Sequence, residues 1–296
     1  MRDNGQEINT GGKEILSKTP TSSQRYNINA ETGIIEVIDV TSENPDVNIP
    51  ILFAPGMGAT INTNLIALHA MAGKGRRVIS LNHPRRGGKI PGEIQAEELR
   101  KARSLLAVIN ETGAGKVDVV AHSEGSINTV LAALINPDRF RNIVLVEPAG
   151  IVGRHSIATL IERQGRENDL ADQRKSKNKD FSDQSKTIDH EFGKYLATNP
   201  LRALNEIHAI SRVEIQEMLR VLHEKGIKIA IFQSADSRLF PMDLVQKMIK
   251  DSKIDGFYSL QGGHYDIQHD PRFAIQAVKA LEALERKVET DIPRIA

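Results

Sequence analysis

The 296-residue chain contains no cysteine and no tryptophan, and only 4% of its residues are aromatic. The absence of cysteine excludes disulfides, thiolate metal sites and a cysteine nucleophile, and it removes the most direct sequence indication of redox compartment. Charge of one sign is not in excess either, since 39 Lys and Arg residues against 38 Asp and Glu residues leave a formal net charge of +1. No overall field attracts polyanions, so we expect neither nucleic acid nor an acidic membrane as a partner.

Long apolar runs are also missing. No segment approaches the roughly 18 apolar residues that a membrane span needs, and the N-terminus lacks the apolar region of a secretory signal. We therefore expect a soluble, cytoplasmic protein. Residues 1–22 are polar and rich in Gly, Ser, Thr and Asn, which predicts a flexible lead-in.

Strand and helix patterns alternate along the rest of the chain. Runs rich in β-branched residues predict strands at 34–40, 49–54, 77–81, 117–120, 143–146, 227–232 and 256–260. Apolar residues at three- and four-residue spacing predict helices at 64–72, 94–109, 126–135, 212–224, 242–250 and 271–288. The pattern predicts an α/β fold with a mostly parallel sheet, helices on both faces and an antiparallel start.

One interval breaks this alternation. Residues 154–210 contain no strand pattern and include a stretch dense in charges of both signs, ERQGRENDLADQRKSKNKDFSDQSK. An insertion at this point of an α/β chain can fold over the C-terminal ends of the strands, where the sites of such folds lie. We predict a cap or lid at 151–210 and one core formed by 23–150 and 211–296.

The segment VDVVAHSEGSINTVLAAL joins an apolar strand to a helix through Ser123. A serine on so tight a turn needs small residues two positions before and after it, and Ala121 and Gly125 meet that demand. Such a turn exposes the hydroxyl and leaves the Glu124 backbone N–H free to stabilise an oxyanion. The pattern departs from GxSxG at its first position, so an ordinary strand-turn-helix serine is the alternative.

A serine nucleophile needs a base, and His264 is the candidate. It lies in QGGHYDIQHDPRF, after the last predicted strand and before the last helix. His269 is the main rival, but its position before Asp270 and Pro271 favours a role in helix capping. A metal site built from His264, Asp266, His269 and Asp270 lacks a recognised ligand spacing, and we predict no metal.

Asp236 is the candidate acid that would orient the histidine. It follows the strand in KIAIFQSAD, at the C-terminal end of the sheet. The alternative is a turn or capping aspartate, although Asp243, after Pro241, is better placed as the cap. The chain order Ser123, Asp236, His264 is the order expected of α/β-hydrolases.

The loop PGMGAT at residues 55–60 follows an apolar strand, and its glycines allow a backbone N–H to approach the site closely. We assign the second oxyanion donor to Met57, and Gly56 and His122 are the candidates for substrate contact, with His122 also packing beside the serine. A dinucleotide loop is excluded because Ile61 occupies the third glycine position and no acid ends the next strand.

In HPRRGGK, the basic residues Arg85, Arg86 and Lys89 belong to a solvated loop or bind a substrate carboxylate.

With these residues placed, residues 34–288 resemble the α/β-hydrolase superfamily. The resemblance is carried by the oxyanion loop APGMG, the elbow AHSEG, the acid turn SADSRLFP and the histidine loop GGHYDIQHDPRFAIQAVKAL. It implies an eight-stranded sheet, a helical cap after the sixth strand and no cofactor. The segment HPRRGG departs from the Asp-x-Arg-Gly-x-Gly that the family often has after its fourth strand, so the resemblance does not indicate the substrate.

The reaction expected from this resemblance is hydrolysis through an acyl-enzyme. A carboxylic ester of a small or medium apolar substrate is the leading candidate, with a small molecule as the only partner. Hydrolysis of a C–C bond, an amide or a lactone, peroxidation without a cofactor, and a non-catalytic ligand-binding role remain alternatives, and the sequence carries no signal for an oligomeric state.

Overall fold

The computed structural model describes residues 20–43, 45, 49–84, 96–176, 179–250 and 252–290. Within them eight strands form one sheet in the order β1-β2-β4-β3-β5-β6-β7-β8. The strands are β1 (Thr21–Ala30), β2 (Gly33–Ser42), β3 (Ile51–Ala54), β4 (Val78–Asn82), β5 (Val117–His122), β6 (Phe140–Val146), β7 (Lys228–Ser234) and β8 (Gly256–Leu260). The predicted fold class, an eight-stranded and mostly parallel α/β sheet, is confirmed.

Strand direction follows the connections. β1 pairs with β2 and β2 with β4 in antiparallel fashion, whereas all pairs from β4 to β8 are parallel. Parallel neighbours need a crossover, and the described helices supply it. All residues of β3 and β5 are buried, as expected for central strands covered on both faces.

Ten α-helices and one short 3-10 helix, Pro137–Arg139, lie in the described part of the chain. The α-helices are α1 (Ile61–Ala72), α2 (Ala96–Glu111), α3 (Gly125–Ile135), α4 (Ile157–Lys175), α5 (Lys179–Thr198), α6 (Pro200–Arg212), α7 (Gln216–Glu224), α8 (Met242–Met248), α9 (Asp266–His269) and α10 (Pro271–Thr290). Two apolar clusters form the core. One packs α2, α3 and α7 on one face of the sheet, and the other packs α1 and α10 on the opposite face.

The connection between β6 and β7 contains α4, α5 and α6, which together span residues 157–212. These helices contact one another, and they also contact α1, α2 and α9 of the core. A buried ion pair attaches the last of them, since Lys101 Nζ of α2 lies 2.7 Å from Glu206 Oε1 of α6. Helices therefore cover the C-terminal end of the sheet, where β5, β6 and β7 end.

The structure differs from expectation at the N-terminus. β1 begins at Thr21, inside the predicted lead-in, and the remainder of that lead-in, residues 1–19, lies outside the described residues. The segment TSSQRYNINA is polar because β1 is an edge strand with mostly exposed side chains, so it lacks an apolar periodicity. No helix of the described residues is long and apolar enough to cross a membrane.

Candidate active site

Ser123 lies on the turn between β5 and α3 with a φ of 53°. Its backbone N–H donates to Val146 O at 3.0 Å, which ties the turn to the end of β6. A Cβ on Gly125 would collide with Ala54 O and would lie 2.7 Å from Pro55 O. The small residue predicted at this position is therefore required by the close approach of the backbone of β3.

The structure brings Ser123 and His264 together. Ser123 Oγ lies 3.0 Å from His264 Nε2, within hydrogen-bond reach for proton transfer. Both side chains are buried, with 8% and 2% of their residue surfaces exposed. His264 reaches the serine from the loop between β8 and α9, the location expected from the sequence.

The carboxylate at the other ring nitrogen of His264 belongs to Glu147. Glu147 Oε2 lies 3.2 Å from His264 Nδ1. Oε1 of the same carboxylate accepts a hydrogen bond from the Ser234 N–H, and the Glu147 N–H donates to Phe232 O at 2.9 Å. Like Ser123, Glu147 has a positive φ, of 51°, so the turn after β6 is held in a strained conformation that directs this side chain toward the histidine.

Asp236 does not reach His264, and its assignment as the orienting acid is therefore corrected. Its carboxylate accepts hydrogen bonds from Gln261 Nε2 at 2.5 and 2.6 Å and from Arg174 at 3.1 Å. Its N–H donates to Gly262 O at 2.8 Å, which orients the residue toward the rim, where 30% of its side chain is exposed.

Sequence reasoning passed over Glu147 because the acid was sought after β7, where SADSRLFP offered an aspartate. One signal could have found it, since Glu147 is a charged residue at the end of the apolar strand FRNIVLV. Because β6 pairs directly with β5, a side chain at its end starts beside the serine turn. Glutamate also has one methylene more than aspartate, which extends its reach.

The pKa values of the paired groups are shifted by burial. Burial raises the pKa of Glu147 to about 7, against hydrogen bonds from Ser237 and Ser234 that lower it. Burial lowers the pKa of His264 to about 4, against the charge of Glu167, which raises it. His264 is therefore neutral at pH 7 and able to accept a proton at Nε2.

Met57, one of the two predicted oxyanion donors, lies at the same cavity as the serine. Met57 and the glycines around it line the cavity that contains Ser123 and His264. Among the described residues, neither the Met57 N–H nor the Glu124 N–H donates a backbone hydrogen bond. Their assignment as oxyanion donors stays a prediction.

Gly56 and His122 also line this cavity. A Cβ on Gly56 would lie 3.1 Å from Ser123 Cβ, so the backbone there passes directly beside the serine. His122 Nε2 donates to His264 O at 3.0 Å and the two rings lie 4.9 Å apart. Burial, followed by the neighbouring His264, lowers the pKa of His122 to about 3, so His122 is a neutral ring that packs behind the base.

A cavity of about 530 Å³ opens above Ser123, between the sheet and helices α4, α5 and α6, which occupy the predicted cap segment. Most of its exposed lining is apolar, and the cap and the loop after β7 contribute its aliphatic wall: Leu160, Ile161, Leu196, Ile207, Ile210 and Leu239. A second cavity, of about 490 Å³, is lined by a mixture of charged and apolar residues and contains neither Ser123 nor His264. The first cavity is the one in which a carbonyl could meet the nucleophile.

Within the described residues, no group of three or more His, Asp or Glu side chains could hold a metal ion. His264, which the metal alternative invoked, instead has its ring nitrogens beside Ser123 and Glu147. The basic loop residues Arg85, Arg86 and Lys89 lie outside the described residues, so their predicted role stays a prediction.

Comparison with known proteins identifies the family. A family model for the alpha/beta hydrolase fold matches residues 49–266, which is more than half of the chain. The chain therefore belongs to the alpha/beta hydrolase family, and the class expected from the motifs, a hydrolase, is confirmed at that level.

Solved structures agree on the fold. An esterase from Thermogutta terrifontis superimposes with a TM-score of 0.63 at 18% identity, covering 88% of this chain and 99% of its own. A bromoperoxidase from Bacillus anthracis superimposes with a TM-score of 0.63 at 16% identity, covering 88% of this chain and 100% of its own. An epoxide hydrolase from Vigna radiata superimposes with a TM-score of 0.57 at 13% identity, covering 88% of this chain and 99% of its own. At such low identities the likeness establishes the fold alone.

Proposed function

We propose that the protein is a serine hydrolase that cleaves carboxylic esters of small or medium apolar substrates through an acyl-enzyme. The observation that carries the proposal is the chain of two contacts from Ser123 Oγ through the His264 ring to Glu147, with lengths of 3.0 and 3.2 Å. A serine, an imidazole and a carboxylate in this order activate a hydroxyl for attack on a carbonyl.

In the first half of the reaction, Ser123 Oγ attacks the ester carbonyl carbon while His264 Nε2 takes the hydroxyl proton. The carbonyl oxygen becomes negatively charged and accepts hydrogen bonds from the Met57 and Glu124 N–H groups. The C–O bond to the alcohol then breaks, and the alcohol leaves with the proton from Nε2. Glu147 accepts the Nδ1–H bond throughout and stabilises the imidazolium.

In the second half, water attacks the acyl-serine. His264 takes a proton from the water, and the same two N–H groups stabilise the second oxyanion. Collapse of this intermediate releases the carboxylic acid and returns the proton to Ser123. These reaction steps include no redox change and no cofactor.

The proposed substrate class rests on the cavity. A volume of about 530 Å³ with a mainly apolar lining favours an aliphatic or aromatic substituent over a strongly charged one, because burial of a charge without a partner is costly. A serine at the elbow also disfavours the epoxide-hydrolase reaction, in which a carboxylate is the nucleophile.

Labelling with a fluorophosphonate tests the proposal. Wild-type protein should be labelled covalently at Ser123, and Ser123→Ala should remain unlabelled and lose about 10⁴-fold or more in ester hydrolysis. Labelling that persists in Ser123→Ala would exclude Ser123 as the nucleophile. A panel of p-nitrophenyl esters of graded acyl length, measured beside a β-diketone, then separates ester from C–C hydrolysis, and a folded protein without burst or labelling would favour a ligand-binding role.

A further inference from the structure

Glu167 belongs to the cap, yet it is buried, with 1% of its surface exposed. It lies in the middle of α4, and its carboxylate accepts three backbone N–H groups from the core. Oε1 accepts from His264 at 2.7 Å, while Oε2 accepts from Arg238 at 2.6 Å and from Leu239 at 3.3 Å. One side chain of the cap therefore holds both the loop that carries the base and the loop that follows β7.

The fit of this carboxylate against the histidine loop is close. A Cβ on Gly263, the residue before the base, would lie 2.6 Å from Glu167 Oε1. Hydrogen bonds from N–H groups to a carboxylate are shorter and stronger than neutral ones. The backbone of the histidine loop is thus fixed by a charged group from another part of the chain.

We propose that Glu167 is a positioning residue for His264, which fixes the loop that carries the imidazole and stabilises with its negative charge the imidazolium formed during catalysis. This inference rests on the proposed function, because it requires His264 to act as the base. It makes the cap part of the catalytic apparatus as well as a cover for the cavity.

The other charged groups around His264 do not cancel the electrostatic effect of Glu167 on its ring. The titratable groups that face His264 are Glu147 on Nδ1, the neutral His122, Tyr265 and Glu167. Arg174 of the same helix approaches the same point of the histidine loop, since its Nη1 would lie 3.3 Å from a Cβ on Gly263, and it is paired with Asp236 and Asp266. The charge of Glu167 raises the pKa of His264 against the effect of burial, so this carboxylate acts on the imidazole through its charge as well as through the backbone.

Three variants test the proposal, with fluorophosphonate labelling and p-nitrophenyl butyrate hydrolysis measured from pH 5 to 9. Rates are expressed per active site, titrated by the burst. Glu167→Gln removes the charge, Glu167→Asp keeps the charge but withdraws it by one methylene, and Glu162→Gln, on the exposed face of the same helix, is the matched control.

In Glu167→Gln we expect kcat to fall about tenfold with KM within twofold of wild type. Loss of a nearby anion lowers the pKa of the Glu147–His264 pair, so the acidic limb of the pH profile should move down by about one unit. Glu167→Asp should lower kcat, while the acidic limb of its pH profile stays within about 0.3 pH units of that of the wild type. Glu162→Gln should match wild type in both.

Failure of this inference is distinguishable from failure of the proposed function. A wild-type protein that is neither labelled nor active would contradict the proposed function. An active wild type whose Glu167→Gln variant keeps its limb and its rate per site would overturn the positioning role, because a purely structural residue changes only the number of folded sites. If Glu167→Gln does not fold, an unchanged kcat in folded Glu167→Asp would overturn it equally.

Discussion

Glu147 Oε2 lies 3.2 Å from His264 Nδ1, so the carboxylate beside this ring follows β6, the strand next to the one that leads to Ser123. Ser123 and Glu147 are also the two non-glycine residues with positive φ in the described part of the chain. The Ser123 N–H donates to Val146 O, the residue before Glu147. The two strained turns are therefore joined through the ends of β5 and β6.

The first prediction separates the two candidate acids. Glu147→Gln should lower kcat for ester hydrolysis by about 10²–10⁴-fold, because the Ser234 N–H would hold the amide oxygen and the uncharged NH2 group would then face Nδ1 and favour the wrong tautomer. Asp236→Asn should change kcat less than tenfold, since its carboxylate contacts Gln261 and Arg174 instead. If Asp236→Asn proved the more damaging of the two, the contact seen at His264 would not be the functional one.

Activity should also depend on pH through the Glu147–His264 pair. Burial raises the pKa of Glu147 to about 7 and lowers that of His264 to about 4. Activity requires an ionised Glu147 and a neutral His264, so kcat/KM should rise with pH through a limb that ends near neutrality and belongs to the pair. A profile that is flat from pH 5 to 8, measured with p-nitrophenyl butyrate, would contradict this.

Stability should depend on Lys101, which lies beneath the elbow. Its Nζ is 2.6 Å from Glu124 Oε1 and 2.7 Å from Glu206 Oε1, with 3% of the side chain exposed. Lys101→Met removes the cation paired with Glu124, although Arg202 still pairs with Glu206 at 2.9 Å. It should lower the free energy of unfolding by about 3–5 kcal/mol, because the carboxylate of Glu124 stays buried without its partner. The exposed Lys186→Met should change it by about 0.5 kcal/mol at most, and similar urea midpoints for both variants would exclude a special role for Lys101.

Two glycines should respond oppositely to alanine. A Cβ at Gly125 would collide with the backbone of Ala54 and Pro55, so Gly125→Ala should destabilise by about 1–3 kcal/mol and reduce labelling of Ser123. Gly165 lies inside α4, and a Cβ there would meet nothing within 4 Å. Gly165→Ala should stabilise by about 0.5–1 kcal/mol. Thermal melts of both variants check the pair, and a stable, fully labelled Gly125→Ala would refute the steric argument.

Local sequence was sufficient for most of the sheet and for two site residues. Seven of the strands follow from runs rich in β-branched and other apolar residues, and the runs are clearest where both faces of the strand are buried, as in β3 and β5. β1 was missed since an edge strand with solvated side chains has no such pattern. Ser123 and His264 were found because each lies in a turn whose neighbours are constrained by backbone sterics.

The sequence by itself determined the family, the elbow and the histidine loop, since these depend on small residues and apolar runs that are close together in the chain. Which carboxylates contact His264 was decided only by the tertiary structure. Glu147 and Glu167 contact His264 although they lie 117 and 97 positions away along the chain. No local sequence pattern indicates which of several carboxylates at such separations contacts the histidine. The order of strands and the packing of the cap select the partner, because hydrogen bonds act over about 3 Å of space irrespective of separation along the chain.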